Sequence, residues 1–200
     1  MSDINWANLM YLATIKDKID SVRIIATTFD ANPSVNNIIG SKSNRRKKIE
    51  RMAEFVFIKS LNRNGAFISK NRKGVAFFYR SSLKVFSLKE IFYEIRFALS
   101  IPISKVIETL NRQAYLKKQR YQGEHFYFWF FGVEKGGDKA GFELKDYLYN
   151  LSEEEQLPIV LETSVKRNKV IYERYGFKTY HIWDNYSDKH VLWFMIRKSK

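Results

Sequence analysis

Apolar side chains recur at three- and four-residue intervals through the first sixty residues and run together further along. Between Lys16 and Phe29 they fall at Ile19, Val22, Ile25, Ala26 and Phe29, which predicts a helix with one buried face. Ala31-Asn32-Pro33 ends it, because Asn and Pro favour turns and the residue before a proline avoids helical geometry. A second helix is predicted over 44–61, with Ile49, Met52, Ala53, Val56, Phe57 and Ser60 turned inward. Two short strands, 65–69 and 74–80, flank the polar break Asn71-Arg72-Lys73 as a hairpin would. Ser87-Leu88-Lys89-Glu90 has capping-box spacing and opens a helix to about Leu99. Beyond Pro102, residues 104–118 read as an amphipathic helix packed through Val106, Ile107, Leu110, Ala114 and Tyr115.

The character then changes. His125 to Val133 is apolar at nearly every position, the pattern of a central strand covered on both faces. Phe142, Leu144, Tyr147, Leu148 and Leu151 mark a helix, and 157–161 a second buried strand with Pro158 at its mouth. A helix from about Lys166 to Tyr175 stops at Gly176. Strands over 177–183 and 190–197 close the chain around the polar loop 184–188. The order predicts an α/β (α+β) protein with one mixed sheet, and the lack of repeats or linkers predicts a single domain over 1–200.

Composition narrows the chemistry. The 200 residues hold no Cys, which excludes a disulfide scaffold, a zinc ribbon and cysteine catalysis. No apolar run approaches the ~18 residues of a membrane span, and the first residues lack a signal peptide's pattern, so a cytoplasmic protein without a membrane partner is expected. Residues 1–120 carry 23 Lys and Arg against 9 Asp and Glu, whereas 121–200 carry 12 of each, so the whole excess of +14 lies in the first part. Such a surface attracts polyanions or acidic small molecules, and it equally suits a solubilising surface. Arg45, Arg46, Lys47 and Lys48, at the start of the second helix, oppose its macrodipole; such a run is usually a solvated helix face, and a contact for a polyanion such as nucleic acid is the sharper alternative.

Two segments resemble the GNAT (GCN5-related N-acetyltransferase) superfamily. His125-Phe126-Tyr127-Phe128 with Phe131-Gly132-Val133 is similar to that family's central strand. Leu157 to Ser164, Asn168, and Ile171-Tyr172-Glu173-Arg174-Tyr175-Gly176-Phe177 resemble its next strand and helix, and Leu192 to Arg197 its last strand. The specific part spans roughly 123–197. The resemblance implies a mostly antiparallel sheet flanked by helices, with a splayed central strand pair, in which 121–200 form the cofactor-binding part and 1–120 a basic helical and two-strand part. It also implies acetyl transfer from acetyl-CoA, as co-substrate, to a small-molecule or peptide amine, in a monomer or homodimer. Phe131, Gly132 and Val133 would line the cleft with their backbone groups, Tyr172 would protonate the departing thiolate, and Asn168, on the same helix face, would contact the pantetheine. Read from the residues alone, Tyr172 also suits an ordinary core position and Asn168 a helix cap.

The family's pyrophosphate loop is altered. One register sets Asp138, Gly141 and Glu143 on its key positions. A second sets Gly136, Lys139 and Gly141 there, and is preferred because Lys135 and Lys139 supply compensating charge and the Gly136-Gly137 pair keeps the loop adaptable, whereas the first would stand two carboxylates near a pyrophosphate. For the general base, Glu124, His125 and Glu162 are candidates by position. His181, Asp184, Asp188 and His190 lack a recognised metal-ligand spacing, so no metal is expected. The charge split favours an acidic acceptor on the basic side. The competing reading is a GNAT-fold binding module for nucleic acid that has lost catalysis.

Overall fold

The computed structural model describes residues 10–39, 43–187 and 190–200. Strand β1 (Met10–Leu12) leads through a 3-10 turn into helices α1 (Lys18–Thr28), α2 (Pro33–Ile39) and α3 (Arg45–Leu61). The hairpin β2 (Ala66–Ser69) and β3 (Gly74–Arg80) precedes helices α4 (Leu88–Ala98) and α5 (Ile103–Gln119). There follow β4 (Phe126–Val133), α6 (Asp138–Glu154), β5 (Ile159–Thr163), α7 (Lys166–Arg174), β6 (Lys178–Ser187) and β7 (His190–Arg197). All the strands join one sheet in the order β1-β2-β3-β4-β5-β7-β6, in which β4 and β5 are the parallel pair and the other neighbours are antiparallel.

Each face of the sheet has its own core. On one, Ile24, Ile25, Ile49, Met52, Phe57 and Phe77 pack from α1, α3 and β3. On the other, α6 places Leu144 and Leu148 against Phe78, Phe126 and Phe128. The run of apolar residues in β4 is therefore explained by cover on both sides. The predicted inward stripe of α3 is buried throughout.

Several elements differ from the sequence expectation. Ala31-Asn32-Pro33 ends one helix and also begins another: Asn32 Oδ1 accepts the Ser34 and Val35 N–H groups at 2.9 and 3.3 Å, and Pro33 takes the first helical position. Three-residue β1 is too short to show a period. In α1 the buried face runs through Ser21, Ile24, Ile25 and Ala26, while Ile19 is exposed, a rotation set by packing on α3 and β4. In α5 the expected inward residues Ile107 and Leu110 face solvent. Ser87 does cap α4 by accepting the Glu90 N–H at 3.3 Å, but the Glu90 side chain turns inward to Arg63 at 2.7 Å instead of returning to the cap. Strand β6 continues into the expected polar loop as far as Ser187, and Asp188 lies outside the described residues.

Candidate active site

The parallel pairing of β4 with β5 consists of Phe126 with Ile159 and Tyr127 with Val160, and there it stops. Each strand keeps its other neighbour: β4 pairs with β3 as far as Val133, and β5 pairs with β7 as far as Thr163. Past Tyr127 the two strands therefore diverge as a wedge, and the backbone groups they turn toward each other have no ladder partner. The divergence has a local cause. Phe77 pairs with Phe130 and Phe78 with Phe128, so Trp129 is an extra residue in β4. A bulge bends and twists its strand. Its signature is visible in packing, since neighbours Trp129 and Phe130 both contact the α1/α3 core while Phe131 turns to the α6 side.

Helix α7 begins at the open end of the wedge. Gly176 adopts φ +89, its N–H reaches Glu173 O at 3.1 Å, and the Phe177 N–H reaches Tyr172 O at 3.0 Å, the two bonds of a Schellman cap. The same cap brings the Phe177 ring within 5.5 Å of the Tyr172 ring, and Phe128 of β4 holds its other side at 6.5 Å. Tyr172 is thus half-buried and fixed in direction, and burial pushes its hydroxyl up to about 12. Asn168, four residues earlier, shares its face. It does not cap the helix: Val165 occupies that position, its N–H bonded to Thr163 Oγ1 at 3.2 Å.

Two cavities meet at Tyr172. One, of about 230 Å³, lies on the α1/α5 side and is lined by Phe29, Trp129 and Phe130, by Arg112 and Gln113 of α5, and by Glu162 and Asn168. The other, of about 200 Å³, lies between β4, α6 and α7 and is lined mainly by Phe128, Phe131, Phe142, Tyr149 and Tyr175. Gly141 and Lys145, one turn apart on α6, also face this second space. The Lys145 ammonium stands 5.0 Å from the ring centres of both Tyr149 and Tyr175 and pairs with Asp146. Lys145 was missed in the sequence, although its spacing from Gly141 was a readable signal.

The β4–α6 loop presents Gly136 at φ +77 and Gly137 at the cap of α6, so Lys139 and Gly141 fall in the helix's first turn and Glu143 beyond it. A Cβ on Gly141 would meet Val133 Cγ2 at 3.4 Å and Phe131 Cζ at 3.9 Å. Glu134 is drawn away from the loop by Arg23 of α1. Gly132 sits where α1 crosses β4; a Cβ there would be 2.5 Å from Thr28 Oγ1.

Glu124 and His125 are placed elsewhere. They precede the zipped end of β4 and line neither cavity. Glu124 accepts from Ser82 at 2.6 Å. His125 is buried, its Nδ1 is 2.7 Å from Gly123 O, its Nε2 has no partner, and burial lowers its pKa. Glu162 does line the first cavity, but both its oxygens are engaged: Arg120 donates to them at 2.7 and 3.1 Å, and the Tyr127 hydroxyl at 2.9 Å. Arg120 also lies 3.8 Å over the Tyr127 ring. This network, which fills the crotch of the wedge, joins residues from three elements and left no mark in local sequence.

Within the basic cluster, Arg45 folds back onto Asp30 at 2.9 Å and Asn36 at 2.6 Å, and Arg46 pairs with Glu50 at 2.9 Å. His181 Nε2 is 2.9 Å from the Tyr115 hydroxyl. Among the described residues no group of His, Asp and Glu is arranged to hold a metal.

No family model matches the chain, and no curated protein matches it in sequence. Solved structures do. An acetyltransferase from Corynebacterium glutamicum described as histone acetyltransferase HPA2 and related acetyltransferase aligns at TM-score 0.65 and 15% identity over 96% of each chain. The C-terminal condensation domain of Ebony, solved with beta-alanyl-dopamine, aligns at 0.61 and 10% identity over 94% of this chain and 97% of its own. Arylalkylamine N-acetyltransferase 2 of Aedes aegypti aligns at 0.59 and 14% identity over 96% and 98%. The chain has the GNAT fold, splayed strand pair included.

Proposed function

We propose that the chain transfers an acyl group from acetyl-CoA to a small amine. The observation that carries this reading is the wedge between β4 and β5, with Tyr172 standing where the two cavities meet. The residues suit the co-substrate. Phe131, Gly132 and Val133 line the open strand edge; Gly136, Gly137, Lys139 and Gly141 form a glycine-rich entry to α6, where helix N–H groups favour phosphate; and Asn168 faces the gap. Acetyl-CoA supplies a thioester.

The chain's own groups do the rest. Unpaired N–H groups of β4 stabilise the negative charge that develops on the carbonyl oxygen as the amine nitrogen bonds to carbon. Tyr172, protonated at any working pH because burial holds it near 12, gives its proton to sulfur as the carbon–sulfur bond breaks. The acceptor nitrogen loses one proton, so the phenol is restored overall. Glu162 is committed to Arg120, and Glu124 and His125 stand at the closed end, so none of the three takes the acceptor's proton directly in this arrangement. The first cavity joins aromatic walls to Arg112, Asn32 and Gln113, which suits an acceptor with an aromatic body and a polar or acidic end. An arylalkylamine and beta-alanyl-dopamine, each with an aromatic ring, are named for two structural neighbours. The transferase reading is preferred to a nucleic-acid module on the wedge and on Tyr172; in the basic cluster Arg45 and Arg46 are paired with Asp30 and Glu50.

The test is a thermal shift with acetyl-CoA followed by thiol release with a panel of aryl amines. Saturation at 100 times the dissociation constant adds about 2.7 kcal/mol. Absence of both stabilisation and turnover overturns the proposal.

A further inference from the structure

Helix α4 is built inside out. Its inward face carries Glu90, held by Arg63, along with Tyr93 and Phe97. Its outward face carries Leu88, Ile91, Phe92, Ile95 and Leu99, spaced at three and four residues, with Leu88 74% and Leu99 81% exposed. Phe86 precedes it at 82% exposure, and beyond the connector at Pro102, Ile103, Ile107 and Leu110 form a separate outward stripe on α5. A ridge of this extent is larger than the scattered apolar residues of an ordinary surface and marks a contact.

Charge says what kind. Residues 81–120 hold eight Lys and Arg against three Glu. Glu90 is consumed by Arg63 and Glu108 by Lys105 and Asn37, which leaves Glu94 as the one exposed carboxylate of α4 outside these pairs. Lys84, Lys89, Lys117 and Lys118 have no ion-pair partner among the described residues and lie near the stripes, Lys89 one turn from Phe92 and the last pair two turns beyond Leu110. A symmetric contact with a second copy would set this same cationic face against itself. Nucleic acid would meet the cations but leave the apolar ridge wet. A convex apolar ridge edged by lysines fits an anionic bilayer surface, where the side chains enter the acyl boundary and the ammonium groups meet lipid phosphates.

We infer that the outward faces of α4 and α5 dock the protein on anionic membranes as a peripheral, interfacial contact. No helix among the described residues is long and apolar enough to cross a bilayer, so the contact is a surface one. The expectation of no membrane partner rests on the lack of a spanning run and of a signal peptide's pattern, and neither bears on an interfacial contact. The inference stands apart from the proposed chemistry, because the inward residues of α4 and α5, Phe97, Arg112 and Gln113, line the acceptor cavity while the ridge faces away.

The test is co-sedimentation of the full chain with vesicles of phosphatidylcholine alone and of phosphatidylcholine with phosphatidylglycerol, at rising salt. Binding to the anionic vesicles that weakens with salt is expected. The F92D/I95D variant should bind at least ~10-fold more weakly. The K117E/K118E variant, which leaves the ridge intact, should weaken binding and flatten its salt dependence. Equal binding to both vesicles, no binding to either, or full binding by both variants overturns the inference. So does light scattering that shows a dimer which F92D/I95D converts to monomers in a protein that ignores vesicles.

Discussion

The Phe177 ring packs on the Tyr172 ring at 5.5 Å because both belong to one helix cap, in which Phe177 N–H bonds Tyr172 O and Gly176 takes φ +89. The residue proposed to protonate the leaving group is therefore aimed by the end of its own helix. Gly176→Ala puts a Cβ into left-handed geometry at a cost of about 1–2 kcal/mol, or several degrees in Tm for a chain of this size. Its turnover should fall with its Tm. Tyr172→Phe keeps the ring contacts, so Tm and acetyl-CoA binding should hold while kcat drops about 100-fold. Unchanged kcat in Tyr172→Phe would remove it from the chemistry.

The crotch of the wedge depends on the Arg120–Glu162 pair. Glu162→Gln leaves a mostly buried guanidinium without its countercharge, and Tyr127 with a weaker acceptor. Losing one member of a buried pair costs about 3 kcal/mol. Thermal denaturation should show Tm lower by about 6–12 °C. A change below about 1 kcal/mol would show that solvent reaches the pair freely.

His125 makes stability fall in mild acid. Burial lowers its folded-state pKa below the unfolded value of 6.5, so as pH drops below 6.5 the unfolded chain takes the proton first. Its contribution is intact above pH 6.5 and is lost progressively as pH falls toward the depressed folded value. His125→Asn retains a donor for Gly123 O and does not titrate. Denaturant midpoints between pH 7 and 5 should therefore fall less in the variant than in the parent chain.

Gly132 lets α1 lie directly on β4. In Gly132→Ala the added carbon displaces the Thr28 hydroxyl, which donates to Ile24 O at 2.8 Å, at a cost of about 1–2 kcal/mol. Adding Thr28→Ala removes the clash, so the double variant should be more stable than Gly132→Ala alone. Additive losses in the double-mutant cycle would contradict this contact.

If the α6 entry receives a pyrophosphate, Lys139→Glu should weaken acetyl-CoA binding about ten-fold at low salt, with the gap narrowing as salt rises. Binding of a pantetheine thioester that lacks the nucleotide should not change. Equal loss for both ligands would locate the effect elsewhere than at phosphate.

How much of this was written locally is visible element by element. The α3 stripe, the Ser87 cap, the Gly176 stop and the unbroken apolar run of β4 depend on residues within a turn or two of one another, so spacing alone determined them. The candidate pair Asn168 and Tyr172 came from the family resemblance, since spacing places them one turn apart but gives neither a role. Spacing also finds an apolar stripe but not which way it points. Ile107 and Leu110 had the period of a buried face and lie in solvent, because the direction of α5 is set by packing against α2 and the β6–β7 end of the sheet. The bulge at Trp129, the point where β4 leaves β5, and the meeting of Arg120, Tyr127 and Glu162 were likewise decided by the tertiary structure. Each joins groups from strands or helices far apart in the chain, and side chains within a few residues carry no record of partners that only folding brings near.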